Sequence, residues 1–233
     1  MDRMKQLRYV SVDDWILAAA SGRSVLHLGC AGEFLELGPT ACLHYNLSKT
    51  AKVLWGVEIN GEALAQVKNW VPEQPGRFEY LEADVQRLEI ERIGRKFEMI
   101  LAGSIIEHLS NPGLMLQSFA KLLEADGRLV IVTPHVYGLL SFQRVALRRH
   151  EAVNPEHTCW FSICTLSELC FRYGFIPVEY LTGYGWRPPS LKWTIQRAIG
   201  GAFFRRFPQV GGSLIGVFAL DNGPSRSASA QEP

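Results

Sequence analysis

The sequence has no run of about 18 uncharged apolar residues, so no membrane-spanning helix is expected. Its opening residues, MDRMKQLRYVSVDDW, lack the apolar core of a secretory signal peptide. Cysteine is sparse and unpatterned. Cys30, Cys42, Cys159, Cys164 and Cys170 include no CxxC or CxxH spacing, which points to reduced thiols in the cytoplasm and away from a disulfide framework or a structural zinc site. Net charge is also scarce: 24 Lys+Arg against 23 Asp+Glu leave +1. That balance argues against a surface that grips nucleic acid over most of its area. No short repeat is sustained, which excludes a collagen-like or coiled-coil rod.

What is present is an ordinary globular composition, 47% hydrophobic and 20% charged over 233 residues. Short apolar runs at 24–28 (SVLHL), 53–59, 77–82, 97–102 and 127–133 read as strands. Helical patterns fall between them. Residues 61–70 follow Asn60-Gly61, and residues 112–124 follow Ser110-Asn111-Pro112, an N-terminal signal with proline in the first turn. Ser11 with Asp14, and Thr165 with Glu168, resemble capping boxes, the first heading an amphipathic segment over residues 1–23. FIPVEYL (175–181) and SLIGVFAL (213–220) are expected as two adjacent final strands. Strand and helix alternate through 24–133, the pattern of a mostly parallel, doubly wound α/β sheet whose ligands sit beyond the carboxyl ends of the strands. One domain is expected over 1–220, with a small polar tail, 221–233, expected to be disordered.

Three strand ends carry the chemistry. The first strand runs into His27-Leu28-Gly29-Cys30-Ala31-Gly32-Glu33, a small-residue turn that lets a ligand approach the backbone. A nicotinamide dinucleotide fingerprint needs glycine at 29, 31 and 34, where this chain has Gly29, Ala31 and Phe34, and no P-loop Gly-Lys-Ser/Thr follows. Glu58, ending the second strand, can accept hydrogen bonds from a ribose diol, and Asp84 after the third can receive an amino group. Each is also readable as an ordinary tight turn or a solvated strand-end acid.

In this order, SVLHLGCAGEFLE, VLWGVEIN, EYLEADVQRLE, FEMILAGSIIEHLSNPGLML and LLEADGRLVIVTPH resemble the motifs of class I S-adenosylmethionine-dependent methyltransferases, the small-molecule branch that includes ubiquinone-type O-methyltransferases. The resemblance spans roughly residues 20–182. It implies a Rossmann-like sheet of about seven strands with the last antiparallel, and S-adenosyl-L-methionine as cofactor. By position it implies that Gly29, Cys30 and Ala31 pack against the methionine portion. Glu58 would hold the ribose, with Ile59 beside the adenine. Asp84 would meet the adenine amino group, with Val85 beside the ring, and Ala102 and Gly103 would lie under the sulfonium. His27 stands where the family usually has an acid that helps orient the turn and the cofactor's amino group, and Ala31 and Glu33 stand where it has glycine.

Methyl transfer to a hydroxyl gains from a base with a near-neutral pKa, which makes His108 and His157 the candidate catalytic residues. Each is equally readable as a structural histidine of its loop. Some ubiquinone-type relatives bind a divalent metal through Glu-x-x-Glu-His. Here Ser104 replaces the first acid, so no required metal is expected. Residues 138–210 hold nine Lys/Arg and four Glu, 9 − 4 = +5. LLSFQRVALRRH and LKWTIQRAIGGAFFRRF, in cap segments near 138–160 and 185–210, mix basic and bulky apolar residues at helical spacing. Such helices either cap the core with a solvated basic face or contact a membrane surface, an acidic substrate or a lipid-linked substrate. The expected activity is methyl transfer at oxygen to a small-molecule, glycan or lipid-linked acceptor, with no nucleic-acid partner. The alternative is a non-catalytic module of the same fold that regulates or scaffolds a biosynthetic partner.

Overall fold

The structure is a computed structural model that describes residues 6–32, 35–149, 153–184 and 201–221. The expected tail beyond Asp221, residues Glu33 and Phe34, and residues 185–200 of the second basic segment lie outside them. None of the described helices is long and apolar enough to cross a membrane.

Eight strands form one sheet: β1 (Arg8–Ser11), β2 (Ser24–Leu28), β3 (Val53–Glu58), β4 (Phe78–Glu82), β5 (Phe97–Gly103), β6 (Leu123–Pro134), β7 (Phe175–Tyr184) and β8 (Ser213–Leu220). Their order is β1-β7-β8-β6-β5-β2-β3-β4. Among the described strands only β8 runs against its neighbours, lying between β6 and β7, so the expectation of an antiparallel last strand holds. The expected sheet of about seven strands gains an eighth. Residues 8–11 pair in parallel with Leu181–Tyr184, where the sequence suggested only the lead-in to a helix. Four residues with no turn signal before them are too short a run to reveal an edge strand.

The helices are α1 (Val12–Ala20), α2 (Leu43–Leu47), α3 (Gly61–Trp70), α4 (Ile90–Ile93), α5 (Pro112–Leu122), α6 (Leu139–Arg148) and α7 (Ile163–Arg172). Asn60 caps α3 by accepting from the amides of Glu62 and Ala63, and Asn111 caps α5 from Gly113. Two expected caps differ. Ser11 precedes α1 without a side-chain cap bond, because its backbone is committed to β1. In α7 the capping box is Ser162 with Thr165. Thr165 and Glu168 do not form it; Glu168 pairs with Arg172 one turn on. The helix from Pro112 ends at Leu122, and Leu123 already belongs to β6.

Strand alternation divides the apolar residues between two faces. On one, Leu26, Leu28, Ile100, Ala102, Leu129 and Ile131 pack with Met115, Leu116 and Phe119 of α5 and Leu166 of α7. On the other, Val25, Leu54, Met99, Leu101 and Val130 pack with Val12, Ile16 and Ala20 of α1 and Leu47 of α2. Buried on both faces, the central strands are near-continuous apolar runs, which is why they are readable in the sequence.

Gly183 faces the carbonyl of Val10 so closely that a Cβ there would lie 2.5 Å from that oxygen and 2.9 Å from Val12. Gly183→Ala is therefore expected to lower stability in urea by about 1–3 kcal/mol and to speed hydrogen exchange at the β1 amides. Unchanged exchange in β1 would contradict the close packing of that edge.

Candidate functional site

The carboxyl ends of β2, β3, β4 and β5 lie side by side. Leu28 is in register with Val57 and with Ala102, and Glu58 with Glu82. The loop leaving β2 is stitched to its neighbour: the amides of Gly29 and Cys30 both donate to the carbonyl of Val57, at 2.9 and 3.2 Å. The Ala31 amide donates to the Glu58 carboxylate at 3.3 Å. The other oxygen of that carboxylate accepts from the amides of Ile59 and Asn60, at 2.9 and 3.1 Å. Gly29 (φ +64°) and Gly32 (φ +70°) take the left-handed backbone that turns the loop. A Cβ added at Gly32 or at Gly103 would meet nothing within 4 Å. The backbone there borders open space, as a ligand cradle requires.

The remaining candidates fall along the same edge. Asp84 is half-buried and caps a short turn by accepting from the Gln86 amide at 2.9 Å. Val85 and Ala102 are buried, and Ile59 is 68% exposed. Cys30 lies beneath the loop. It is 1% exposed, and burial pushes its thiol pKa well up.

His27 is turned away from the open side. Alternation along β2 puts it on the same face as Val25, towards α2. There its Nδ1 lies 3.1 Å from Nδ1 of His44, with the rings nearly parallel at 12° and centroids 5.4 Å apart. Both rings are buried, and desolvation lowers both pKa values: that of His27 to about 4, that of His44 well below its ordinary value, with His27 adding to the effect. Two neutral rings sharing one Nδ1···Nδ1 contact must be opposite tautomers, one donating and one accepting. Gly56 makes room for the pair, since a Cβ there would lie 2.8–2.9 Å from Cys30 Sγ, His44 Cε1 and Tyr80 Cδ1. The sequence reading missed His44. Its only signal is a histidine in an apolar stretch, LHYNL, seventeen residues from the partner it meets.

His108 and His157, 49 residues apart in the chain, meet. Their ring centroids are 4.5 Å apart with the planes at 88°. The loop carrying His157 is pinned by Thr158, whose amide and hydroxyl donate to the Glu107 carbonyl at 2.8 and 3.1 Å, the hydroxyl also reaching the Leu109 carbonyl at 2.8 Å. Glu107 is 1% exposed, and donor atoms of Glu107, His108 and His157 lie within 4.8 Å of one another. Such a set can take up a proton or a divalent ion. Before it, Ser104 holds the left-handed backbone at φ +51°, which turns the chain from β5 into this cluster. Sequence spacing gave no warning of the third donor, because His157 arrives from a distant loop.

A family model described as a methyltransferase domain matches residues 5–180. The chain belongs to that family. It is similar to ubiquinone biosynthesis O-methyltransferases of Nitrosomonas europaea, 24% identical over 122 residues covering 52% of this chain and 47% of that protein, and of Dechloromonas aromatica, 25% identical over 122 residues covering 52% and 49%. The chain thus spans about half the length of the curated relatives it matches. Among solved structures it shares the fold of a TehB-like methyltransferase from Corynebacterium glutamicum (TM-score 0.56, 17% identity, 91% and 88% of the two chains). It also shares the fold of the N-methyltransferase NodS of Bradyrhizobium japonicum in complex with S-adenosylhomocysteine (0.53, 14%, 90% and 84%).

The buried histidine pair predicts a pH dependence. Both rings are neutral when folded and titrate near 6.5 when unfolded. Between about pH 6.5 and 4 the unfolded chain therefore binds more protons, and stability falls as pH falls. A single ring shifted from 6.5 to about 4 accounts for roughly 3 kcal/mol across that window. The melting temperature is expected to drop steeply below pH 6.5, and a double variant, His27→Asn with His44→Gln, is expected to flatten that slope. An equal slope in both proteins would refute the assignment.

Proposed function

We propose that the chain transfers a methyl group to an oxygen of a small-molecule, glycan or lipid-linked acceptor, with the His108–His157 cluster as the base. The observation that carries this reading is the meeting of these two histidines at the carboxyl end of β5, the strand whose terminal Ala102 and Gly103 border the cofactor cradle.

When bound, S-adenosylmethionine supplies an electrophilic methyl on a positively charged sulfur. The loop from Gly29 to Gly32 seats the methionine portion. Glu58 takes the ribose hydroxyls, exchanging bonds it now makes to the amides of Ile59 and Asn60. Asp84 and Val85 bound the adenine, with Ile59 free to cover it. His27 acts from below: with His44 it supports the turn, where most of the family uses a carboxylate. At the acceptor, an imidazole nitrogen of His108 or His157 would accept the hydroxyl proton, freeing the oxygen to take the methyl group that bound S-adenosylmethionine would supply. Glu107, buried beside the two rings, completes the cluster.

The named similarity to O-methyltransferases supports oxygen as the acceptor atom. A scaffolding role is favoured by one feature, His27 in the acidic position. It predicts cofactor binding without turnover on any hydroxylated acceptor.

Calorimetric titration with S-adenosylhomocysteine tests the cofactor assignments. Glu58→Ala is expected to weaken binding about tenfold or more, while Glu62→Ala, on the exposed first turn of α3, leaves it unchanged. Binding that survives Glu58→Ala would contradict the ribose role. In turnover assays with a catechol acceptor, His108→Gln or His157→Gln is expected to lower kcat by about 10²–10⁴ with cofactor affinity retained. Exhaustive chelation separates the two uses of the cluster. Activity unchanged after chelation fits a proton-accepting pair; activity lost and restored by a divalent ion makes Glu107, His108 and His157 ligands instead.

A further inference from the structure

The ends of β1 and β7, paired as Tyr9 with Thr182 and Ser11 with Tyr184, border a cavity of about 110 Å³. Its lining is Tyr9, Val10, Ser11, Tyr184, Gly201 and Arg205. The helical residues 201–206 bring Phe204 onto Tyr9, the rings stacked with centroids 5.1 Å apart and planes at 22°. Burial, with Tyr184 adding and Arg205 opposing, raises the Tyr9 pKa to about 12, so the phenol remains a donor at neutral pH. Ser11 spends no side-chain bond on capping α1. A Cβ on Gly201 would lie 3.5 Å from Arg205 Nη2, so the guanidinium folds back along its own helix beside the cavity. No acid lines this cavity among the described residues. Asp13 and Asp14 follow in the first turn of α1, which packs through Val12, Ile16 and Ala20 on the other face of the sheet. Glu179, further down β7, is paired with Arg8.

The cavity shares a face and an edge with the histidine cluster. Tyr180 packs into the core on the α5 and α7 side. Alternation puts Thr182 and Tyr184 on that face, and Tyr9 and Ser11, level with them, share it. The loops of His108 and His157 are seated on the same core by Ile106, Leu109, Cys159 and Phe161. Both places lie at the carboxyl ends of parallel strands. From β7 to β5 the sheet passes through β8 and β6, three spacings of about 4.8 Å, or roughly 15 Å. Between them Gly212, at the entry to β8, borders open space: a Cβ there would meet nothing within 4 Å. The Thr182 hydroxyl donates to the Pro208 carbonyl, which holds the chain after residues 201–206 against β7.

We infer that this cavity receives the acidic group, carboxylate or phosphate, of the methyl acceptor, with Arg205, Tyr9 and Ser11 as its donors. Size selects a single group, since a pocket for a whole small ligand runs to about 300–1,000 Å³. Charge selects an anion, because the lining offers one guanidinium and several hydroxyls with no acid to offset them. Distance then selects the acceptor. A hydroxyl at the histidines and an acid roughly 15 Å away cannot belong to one aromatic or sugar ring. The acceptor is therefore extended, and an acidic oligosaccharide meets both requirements. The anion site rests on the cavity alone. Its use by the acceptor rests on the methyl-transfer reading above.

Small anions read the cavity directly. In the full chain, inorganic phosphate or acetate is expected to give saturable NMR shifts at the amides of residues 9–11 and 201–205. Arg205→Gln is expected to weaken that binding about tenfold, and Tyr9→Phe, which keeps the stacked ring, about threefold or more. Folding and S-adenosylhomocysteine binding should be unchanged in both variants, because neither side chain belongs to the cofactor loops. The tighter of the two anions identifies the acidic group. No saturable shift with either anion, or shifts that both substitutions leave unchanged, overturns the site. The acceptor role is read with S-adenosylhomocysteine bound. A neutral chitin tetrasaccharide is compared with an acidic one, a hyaluronan fragment for carboxylate or a phosphorylated chitin tetrasaccharide for phosphate. The acidic probe is expected to bind at least about tenfold more tightly and to shift His108 or His157 as well as the cavity amides. Equal binding of the two, or binding of neither, overturns the acceptor role. Anion binding by a chain that takes up no S-adenosylhomocysteine would leave the cavity's role standing and remove the methyl-transfer reading.

Discussion

The site depends on how the loop after β2 is fastened to the end of β3. One carbonyl, that of Val57, receives the amides of both Gly29 and Cys30, and the next residue in that strand, Glu58, reaches back to the amide of Ala31. A loop of small residues held at three successive amides cannot drift, yet Gly32 keeps its outer side open. Parallel register extends the arrangement sideways. Because Leu28 is level with Val57 and Ala102, the loops after three different strands open on the same edge. Ala31 makes this contact through its backbone, and its side chain is buried.

Beneath this loop the chain has replaced an expected carboxylate with an uncharged pair. A carboxylate on the buried face of β2 would need a cation or several donors to offset its desolvation. His27 and His44 share one hydrogen bond, His44 Nε2 stays buried without a partner, and both rings remain neutral at physiological pH. The pairing accepts instability in acid. It also ties α2 to β2, so that the long stretch between the first two strands returns beneath the site it leaves.

The strands were legible because burial on both faces leaves continuous apolar runs, and β2 and α3 appear at the expected residues. The glycine turn, Glu58 and Asp84 were legible because they follow those runs. What escaped was whatever needs a partner distant in sequence. Edge strand β1 is defined by pairing with β7, His44 by its contact with His27, and the meeting of His108 with His157 by a loop crossing residues 106–109. Nor does periodicity tell which way an amphipathic helix turns. The pattern of LLSFQRVALRR fits a core-facing cap as well as an outward one, and only the described exposure of Phe142 and Leu147 separates the two.

These features share one edge, and that constrains what can reach the histidines. The loops that carry Gly29, Glu58, Asp84 and His108 leave the carboxyl ends of parallel strands, the loop of His157 reaches them from between α6 and α7, and α6 departs from the same end of β6. An acceptor approaching from bulk water meets the cluster of His108 and His157 at a partly exposed surface, His108 keeping 26% of its side chain open. Water competes for the methyl group at such a surface unless something covers it. Among the described residues the loop of His157, pinned by Thr158, is the element that lies against this cluster.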